Sequence, residues 1–187
     1  MPSFDRPADI AIPPSDWVMR FASLIKQGGT VLDVASGHGR HARALGCAGY
    51  SVVAVDVDVS GLEDLRGTVG FEIFAADLEL APWPFEGRLF DGIVVTNYLH
   101  RPHFPWLIAA LADDGVLIFE TFGMGNERLG RPRNPDFLLA PGELLDAFAP
   151  HLHVIAYEHG EERVPRPAVR QRLCAIKGNG PYPLMVK

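Results

Sequence analysis

Cysteine is scarce in this chain of 187 residues: Cys47 and Cys174 are the only two. Two thiols make neither a disulfide framework nor a zinc cluster. Cys47 falls in a helical pattern and Cys174 in a strand pattern, so both are read as small buried apolar side chains. No run approaches the roughly 18 consecutive apolar residues of a membrane span. The segment Met1 to Pro14 carries Asp5, Arg6 and Asp9 and no apolar core, so it does not read as a signal peptide, and a cytoplasmic location is expected. Basic charge is not in excess either. With 17 Lys+Arg against 23 Asp+Glu the net charge is −6, which argues against nucleic acid as a partner. No repeat, low-complexity tract or linker divides the chain.

What is present fits a globular protein, with 48% hydrophobic and 21% charged residues. At roughly 100–200 residues per domain, the length predicts a single domain over 1–187, with 1–14 as an N-terminal extension. Such a chain buries about 70% of its unfolded surface and needs no metal or disulfide to fold. The charge is uneven: residues 1–120 balance at −8 and residues 121–187 at +2.

Short β-branched runs occur at Thr30–Val34, Ser51–Asp56, Phe71–Asp77, Asp91–Asn97, Val116–Phe122, Val154–Glu158 and Arg170–Lys177. Helical patterns alternate with them. Ser15 is read as the cap of a first helix that Gly28-Gly29 stops, and Arg40–Ala48 forms a second. Ser60-x-x-Glu63 is a capping-box pattern. Pro105–Ala112 should bury Trp106, Leu107, Ala110 and Leu111, and Pro141 precedes a helix over Gly142–Phe148. Alternation of apolar strands with helices predicts an α/β three-layer sandwich around a mostly parallel sheet. Only about eleven residues join the last two strands, too few for a parallel crossover, so the final strand should run antiparallel to its neighbour.

The sharpest local feature is Val31-Leu32-Asp33-Val34-Ala35-Ser36-Gly37-His38-Gly39-Arg40-His41-Ala42, a strand, a glycine turn and a helix start. Glycines allow a ligand to approach the backbone, and a helix start offers free N–H groups. The bare string Gly37-x-Gly39-x-x-Ala42 also fits a dinucleotide-binding pattern, and a nicotinamide-dependent oxidoreductase is the rival reading. Asp33, Asp56 and Asp77 then close three successive strands at the edge where open α/β sheets bind ligands. Asp56 lies 23 positions after Asp33, near the offset at which an acid reaches a ribose diol. A carboxylate beside the turn repels a pyrophosphate and suits an ammonium.

These residues, with Val55-Asp56, Ala76-Asp77, Phe90-Asp91-Gly92-Ile93-Val94 and Asp114-Gly115-Val116-Leu117, resemble the class I S-adenosylmethionine-dependent methyltransferases. The whole chain is loosely similar to the small bacterial tellurite-resistance-type members. The resemblance implies a Rossmann-like fold with a seven-stranded sheet and S-adenosylmethionine as cofactor. It also implies that Asp33 and the backbone of Ala35 to Gly39 face the methionine part, Asp56 the ribose, and Ala76-Asp77 the adenine. Asn97 is assigned to the same ligand. The family usually has glycine where this chain has Ala35, a substitution of little cost if φ stays negative. Such chemistry asks the protein to hold an acceptor in line with the methyl and to exclude water.

The acceptor is expected beyond the fourth and fifth strands, at Thr96 to His103 and Glu120 to Gly123. Asn97-Tyr98 lack the prolines of the Asn-Pro-Pro-Tyr segment common in base and glutamine methyltransferases. His100 is a candidate general base and Tyr98 a candidate orienting group, or else both are loop side chains. Residues 123–140 read as a polar insertion, and Arg131 and Arg133, with Arg101, are candidates to bind an anionic small-molecule acceptor. The pairs His38-x-x-His41, His100-x-x-His103 and His151-x-His153 lack further ligands, so no metal is assigned and these histidines are placed on loops and helix surfaces. A non-catalytic binding domain on the same fold is the remaining alternative. The sequence leaves the oligomeric state open.

Overall fold

The computed structural model describes residues 13–164 and 166–182. Apart from Pro13 and Pro14, the expected N-terminal extension lies outside the described residues. Seven strands, β1 (Thr30–Val34), β2 (Ser51–Asp56), β3 (Phe71–Ala75), β4 (Phe90–Thr96), β5 (Leu111–Phe122), β6 (His153–Glu162) and β7 (Ala168–Ile176), form one sheet. Their order is β3-β2-β1-β4-β5-β7-β6. The pairs from β3 to β5 are parallel, whereas β7 runs antiparallel to both β5 and β6. The sheet is therefore the expected Rossmann-like one, reversed only at its penultimate position.

Among the described residues the four α-helices are short: α1 (Asp16–Ala22), α2 (Arg40–Cys47), α3 (Phe104–Ala109) and α4 (Glu143–Phe148). Side chains alternate across each strand, so both faces of the sheet must be covered. One face sends Val31, Val52, Val94 and Ile118 against Trp17 and Phe21 of α1 and Leu45 of α2. The other sends Leu32, Val53, Ile93 and Phe119 against Leu107 of α3 and Leu144 and Phe148 of α4. This sandwich holds the carboxyl ends of β1, β2 and β4 side by side, and the candidate site lies along that rim.

Several local expectations fail for identifiable reasons. β3 stops at Ala75, so Asp77 stands in the loop beyond the strand. The Ser15 hydroxyl does not cap α1, because it is drawn to Glu120 at 3.0 Å. Ser60 begins a 3-10 turn with no side-chain cap, and Glu63 pairs with Arg66 instead. Trp106 is 40% exposed while Leu107, Ala110 and Leu111 are buried. Cys47 is exposed; only Cys174 is buried, and burial pushes its thiol up to about 12. Among the described residues, no helix is long and apolar enough to cross a membrane.

Candidate functional site: the carboxyl rim of β1, β2 and β4

The turn after β1 reverses tightly through three left-handed residues, Ala35 (φ 52°), Gly37 (φ 55°) and Gly39 (φ 75°). At Gly39 a Cβ would fall 2.2 Å from Leu62 Cδ2, so only glycine fits between the turn and that buried leucine. At Gly37 nothing lies within 4 Å of the Cβ position, leaving one side of the backbone open to a ligand. The turn is pinned from β2: the Gly37 N–H donates to Asp56 Oδ2 at 2.7 Å, and the Ser36 N–H to the Val55 carbonyl at 3.0 Å. Asp56 Oδ1 accepts from the Asp58 N–H at 3.0 Å. Asp56 thus shapes the turn as well as tipping the strand.

Asp33 lies between β2 and β4, opposite Ala54 and Val94, and is 1% exposed. Neither carboxylate oxygen has a hydrogen-bond partner. The Ala42 N–H is close enough to ease the charge without meeting hydrogen-bond geometry. Burial raises the pKa to about 7, with Asp56 adding to the shift and the Ala42 amide and Arg40 opposing it. An orphaned buried carboxyl is costly.

Further along the rim, Asp77 Oδ1 accepts from the N–H groups of Glu79 and Leu80 at 3.0 and 3.1 Å. The Ala76 N–H donates to the Asp56 carbonyl at 2.9 Å, tying the two acidic positions together. Beside them Val57 is 70% exposed, an apolar side chain on a polar rim that the sequence reading passed over. The Tyr98 hydroxyl is buried without a partner, and its pKa is raised by burial and by the carboxylates of Glu79, Asp77 and Asp56. Its hydroxyl is thus surrounded by the acids of the β2 end and the loop after β3.

The remaining assignments divide. Asn97 adopts φ 54° and its Oδ1 accepts from Arg170 Nη1 at 2.7 Å, so its side chain is turned toward β7. His100 packs 4.4 Å from His103 in a cleft beneath residues 78–86, away from that contact. Arg101 is not available to an acceptor. It donates to both oxygens of Glu143 (2.6 and 3.0 Å) and to the carbonyls of Asp136 and Leu138 (2.7 and 3.0 Å), clamping the segment after β5 onto the loop after β4. Arg131 and Arg133 are exposed.

The sequence reading missed a charged cluster at the ends of β5, β6 and β7. Buried Glu120 accepts from Arg172 Nε at 2.6 Å and from the Ser15 hydroxyl at 3.0 Å. Glu162 pairs with both Arg170 and Arg172, and Arg170 lies 4.3 Å over the Phe122 ring. The signal was the alternation Arg170-x-Arg172 on the last strand, which places both guanidinium groups on one face. The histidines also differ from expectation: His41 and His103 are buried at 1% and 6% exposure. His41 Nε2 accepts from the Ser15 N–H at 3.1 Å, which leaves Nδ1–H to donate to Thr96 Oγ1 at 3.3 Å. Burial and the nearby Arg40 hold its pKa down to about 4, so the ring is neutral. Among the described residues, no group of three or more His, Cys, Asp or Glu is arranged to hold a metal ion.

A family model described as a methyltransferase domain matches residues 6–162. The chain belongs to that family. No curated protein matches its sequence. Solved structures agree on the fold. TehB from Haemophilus influenzae superposes with a TM-score of 0.70 at 19% identity, covering 86% of this chain; the chain spans only 61% of TehB. A TehB-like SAM-dependent methyltransferase from Corynebacterium glutamicum superposes at 0.62 and 17% identity, covering 86% of each chain. The 1,6-didemethyltoxoflavin-N1-methyltransferase of Burkholderia thailandensis, with bound 1,6-didemethyltoxoflavin and S-adenosylhomocysteine, superposes at 0.65 and 18% identity, covering 87% of this chain and 76% of its own.

The chain is thus a methyltransferase-domain protein with the fold of the solved S-adenosylmethionine-dependent methyltransferases it superposes on. The orphaned Asp33 carboxyl and the open face of Gly37 fit a cofactor that carries an ammonium and needs close backbone approach. In this methyltransferase Ala35 departs from what was expected, since its φ of 52° is positive. A left-handed alanine is strained by about 1–2 kcal/mol, partly offset by its smaller loss of chain entropy on folding. Ala35→Gly should therefore raise stability by about 0.5–1 kcal/mol in denaturant unfolding; an unchanged or lowered midpoint would show that the turn carries no strain there.

Proposed function

We propose that the protein transfers the methyl group of S-adenosylmethionine to a small anionic acceptor, with the cofactor lying along the rim from Asp33 to Asp77. The buried, partnerless Asp33 carboxyl carries this reading. Its raised pKa describes a group waiting for a cation, and the cofactor's ammonium supplies one. A nicotinamide dinucleotide would bring its pyrophosphate against the same carboxyl, which disfavours the rival.

In this reading the backbone of Ala35 to Gly39 takes the methionine part and Asp56 takes the ribose hydroxyls while holding Gly37. Asp77 keeps Oδ2 for the adenine amino group, since Oδ1 is engaged by the chain. Val57 and Tyr98 wall the nucleoside. When bound, the cofactor supplies an electrophilic methyl on a sulfonium leaving group. The chain's own task is to orient the acceptor and exclude water. Arg101 serves that task indirectly by fixing the segment that carries Arg131 and Arg133. We assign those two arginines to the acceptor's negative group, because they are the exposed cations of that segment nearest the Arg101 clamp in sequence. His41, held neutral between Ser15 and Thr96, aligns the chain before α1 with the end of β4.

Below pH 7, cofactor binding should release a proton from Asp33. Below pH 7 Asp33 is protonated in the free protein and must ionise to meet an ammonium, whereas above pH 7 it already carries its charge. Affinity for S-adenosylhomocysteine should therefore weaken about tenfold per pH unit as pH falls below 7, and Asp33→Asn should flatten the profile. Calorimetric titration at pH 5.5–8 checks this, and a flat wild-type profile contradicts it. For the acceptor, transfer of labelled methyl to a pool of thiols, amines, carboxylates and chalcogen oxyanions identifies the substrate. Its Km should rise with salt, and Arg131→Ala/Arg133→Ala should raise Km about tenfold and remove the salt dependence. A Km indifferent to both would discard the anionic acceptor.

A further inference from the structure

A second cleft of about 270 Å³ opens between residues 78–86 and the turn from His100 to Trp106. None of the residues assigned above to the cofactor or the acceptor, apart from His100, lines it. Its walls are Trp83, Trp106, His100 and His103, and its acids are Glu79 and Glu86; no lysine or arginine lines it. Trp83 is fixed by edge-on packing against Phe85 at 5.5 Å and by His103 at 5.1 Å, so its ring is set before any ligand arrives. Trp106 is 40% exposed on a short helix whose other large residues face the core, an apolar surface with no partner in the fold.

His103 adds the polar element. It is 6% exposed, and its Nδ1 is buried without a hydrogen-bond partner. Burial and the adjacent His100 hold its pKa down to about 4, so the ring is neutral. The Leu78 backbone acts in the opposite direction. The Tyr98 ring centroid is 6.4 Å from that of His103, and its hydroxyl pKa is raised by burial and by the carboxylates of Glu79, Asp77 and Asp56, so Tyr98 lies beside both the cleft and the acids of the rim.

We infer that this cleft binds a small organic ammonium ion, held by the exposed Trp106 ring and the carboxylates of Glu79 and Glu86, beside the cofactor and simultaneously with it. Aromatic faces attract a cation through their negative quadrupole, and the attraction grows as the cation is desolvated. The two acids supply the complementary charge at the mouth, and the lack of a basic side chain there disfavours anions. The site is distinct from the proposed acceptor position, because its lining comes from residues 78–86, the loop after β4 and Trp106 of α3, and includes neither Arg131 nor Arg133.

Calorimetric titration of the full chain with choline and with phenethylamine, each beside its neutral counterpart (3,3-dimethylbutan-1-ol and 2-phenylethanol), tests the inference. At least one ammonium should bind saturably and about tenfold more tightly than its neutral counterpart. Trp106→Ala and Glu86→Gln, both at exposed positions, should each weaken that binding several-fold without lowering S-adenosylhomocysteine affinity. Saturating S-adenosylhomocysteine should leave ammonium binding within about twofold. Failure of both ammonium ions to bind, equal binding of the neutral molecules, or exclusion by S-adenosylhomocysteine would overturn it. Failure of S-adenosylhomocysteine itself to bind would count against the cofactor reading, which is a separate result.

Discussion

A carboxylate buried at the end of β1 with no partner of its own is the constraint on which the functional account turns. Folding places Asp33 in the middle of the sheet, between Ala54 and Val94, where only 1% of it stays exposed. The Ala42 amide and Arg40 offset only part of that desolvation, since both oxygens are without a hydrogen-bond partner. A fold can sustain such a defect when a ligand completes it, and the neighbouring turn gives the ligand access to the backbone. Asp56 couples the two by accepting from the Gly37 N–H, so the second strand's acid sets the shape of the first strand's turn.

The far end of the rim, at β5, β6 and β7, follows another logic. There the charges are compensated: Glu120 and Glu162 answer Arg170 and Arg172, and Glu143 answers Arg101. Partly buried ion pairs of this kind contribute little net stability against their desolvation, but they fix orientation. Arg172 bonds Glu120 across β5 and β7, and Ser15 joins the same carboxylate from the chain ahead of α1. The network thus ties the start of the described chain to its last strand at the edge nearest the rim.

Much of this was legible in the sequence because it depends on local rules. β1 and β2 fall where β-branched residues cluster between turns, and the short link before β7 was enough to imply its reversal. The glycine turn and the three acids were readable because backbone sterics and strand ends restrict which residues serve there. What escaped depends on contacts between distant positions. Nothing near Arg101 announces that Glu143, 42 residues on, will occupy it. His41 resembles a helix-surface histidine until Ser15 and Thr96, which lie on other elements, enclose it. The sign of φ at Ala35 was likewise hidden, because alanine gives no signal of a left-handed turn.

The most direct measurement is the crystal structure of the complex with S-adenosylhomocysteine. The account predicts the ligand's ammonium nitrogen within hydrogen-bond distance of the Asp33 carboxylate, with the ribose at Asp56 and the adenine amino group at Asp77. A complex in which the ammonium bonds elsewhere and Asp33 stays without a partner would contradict it.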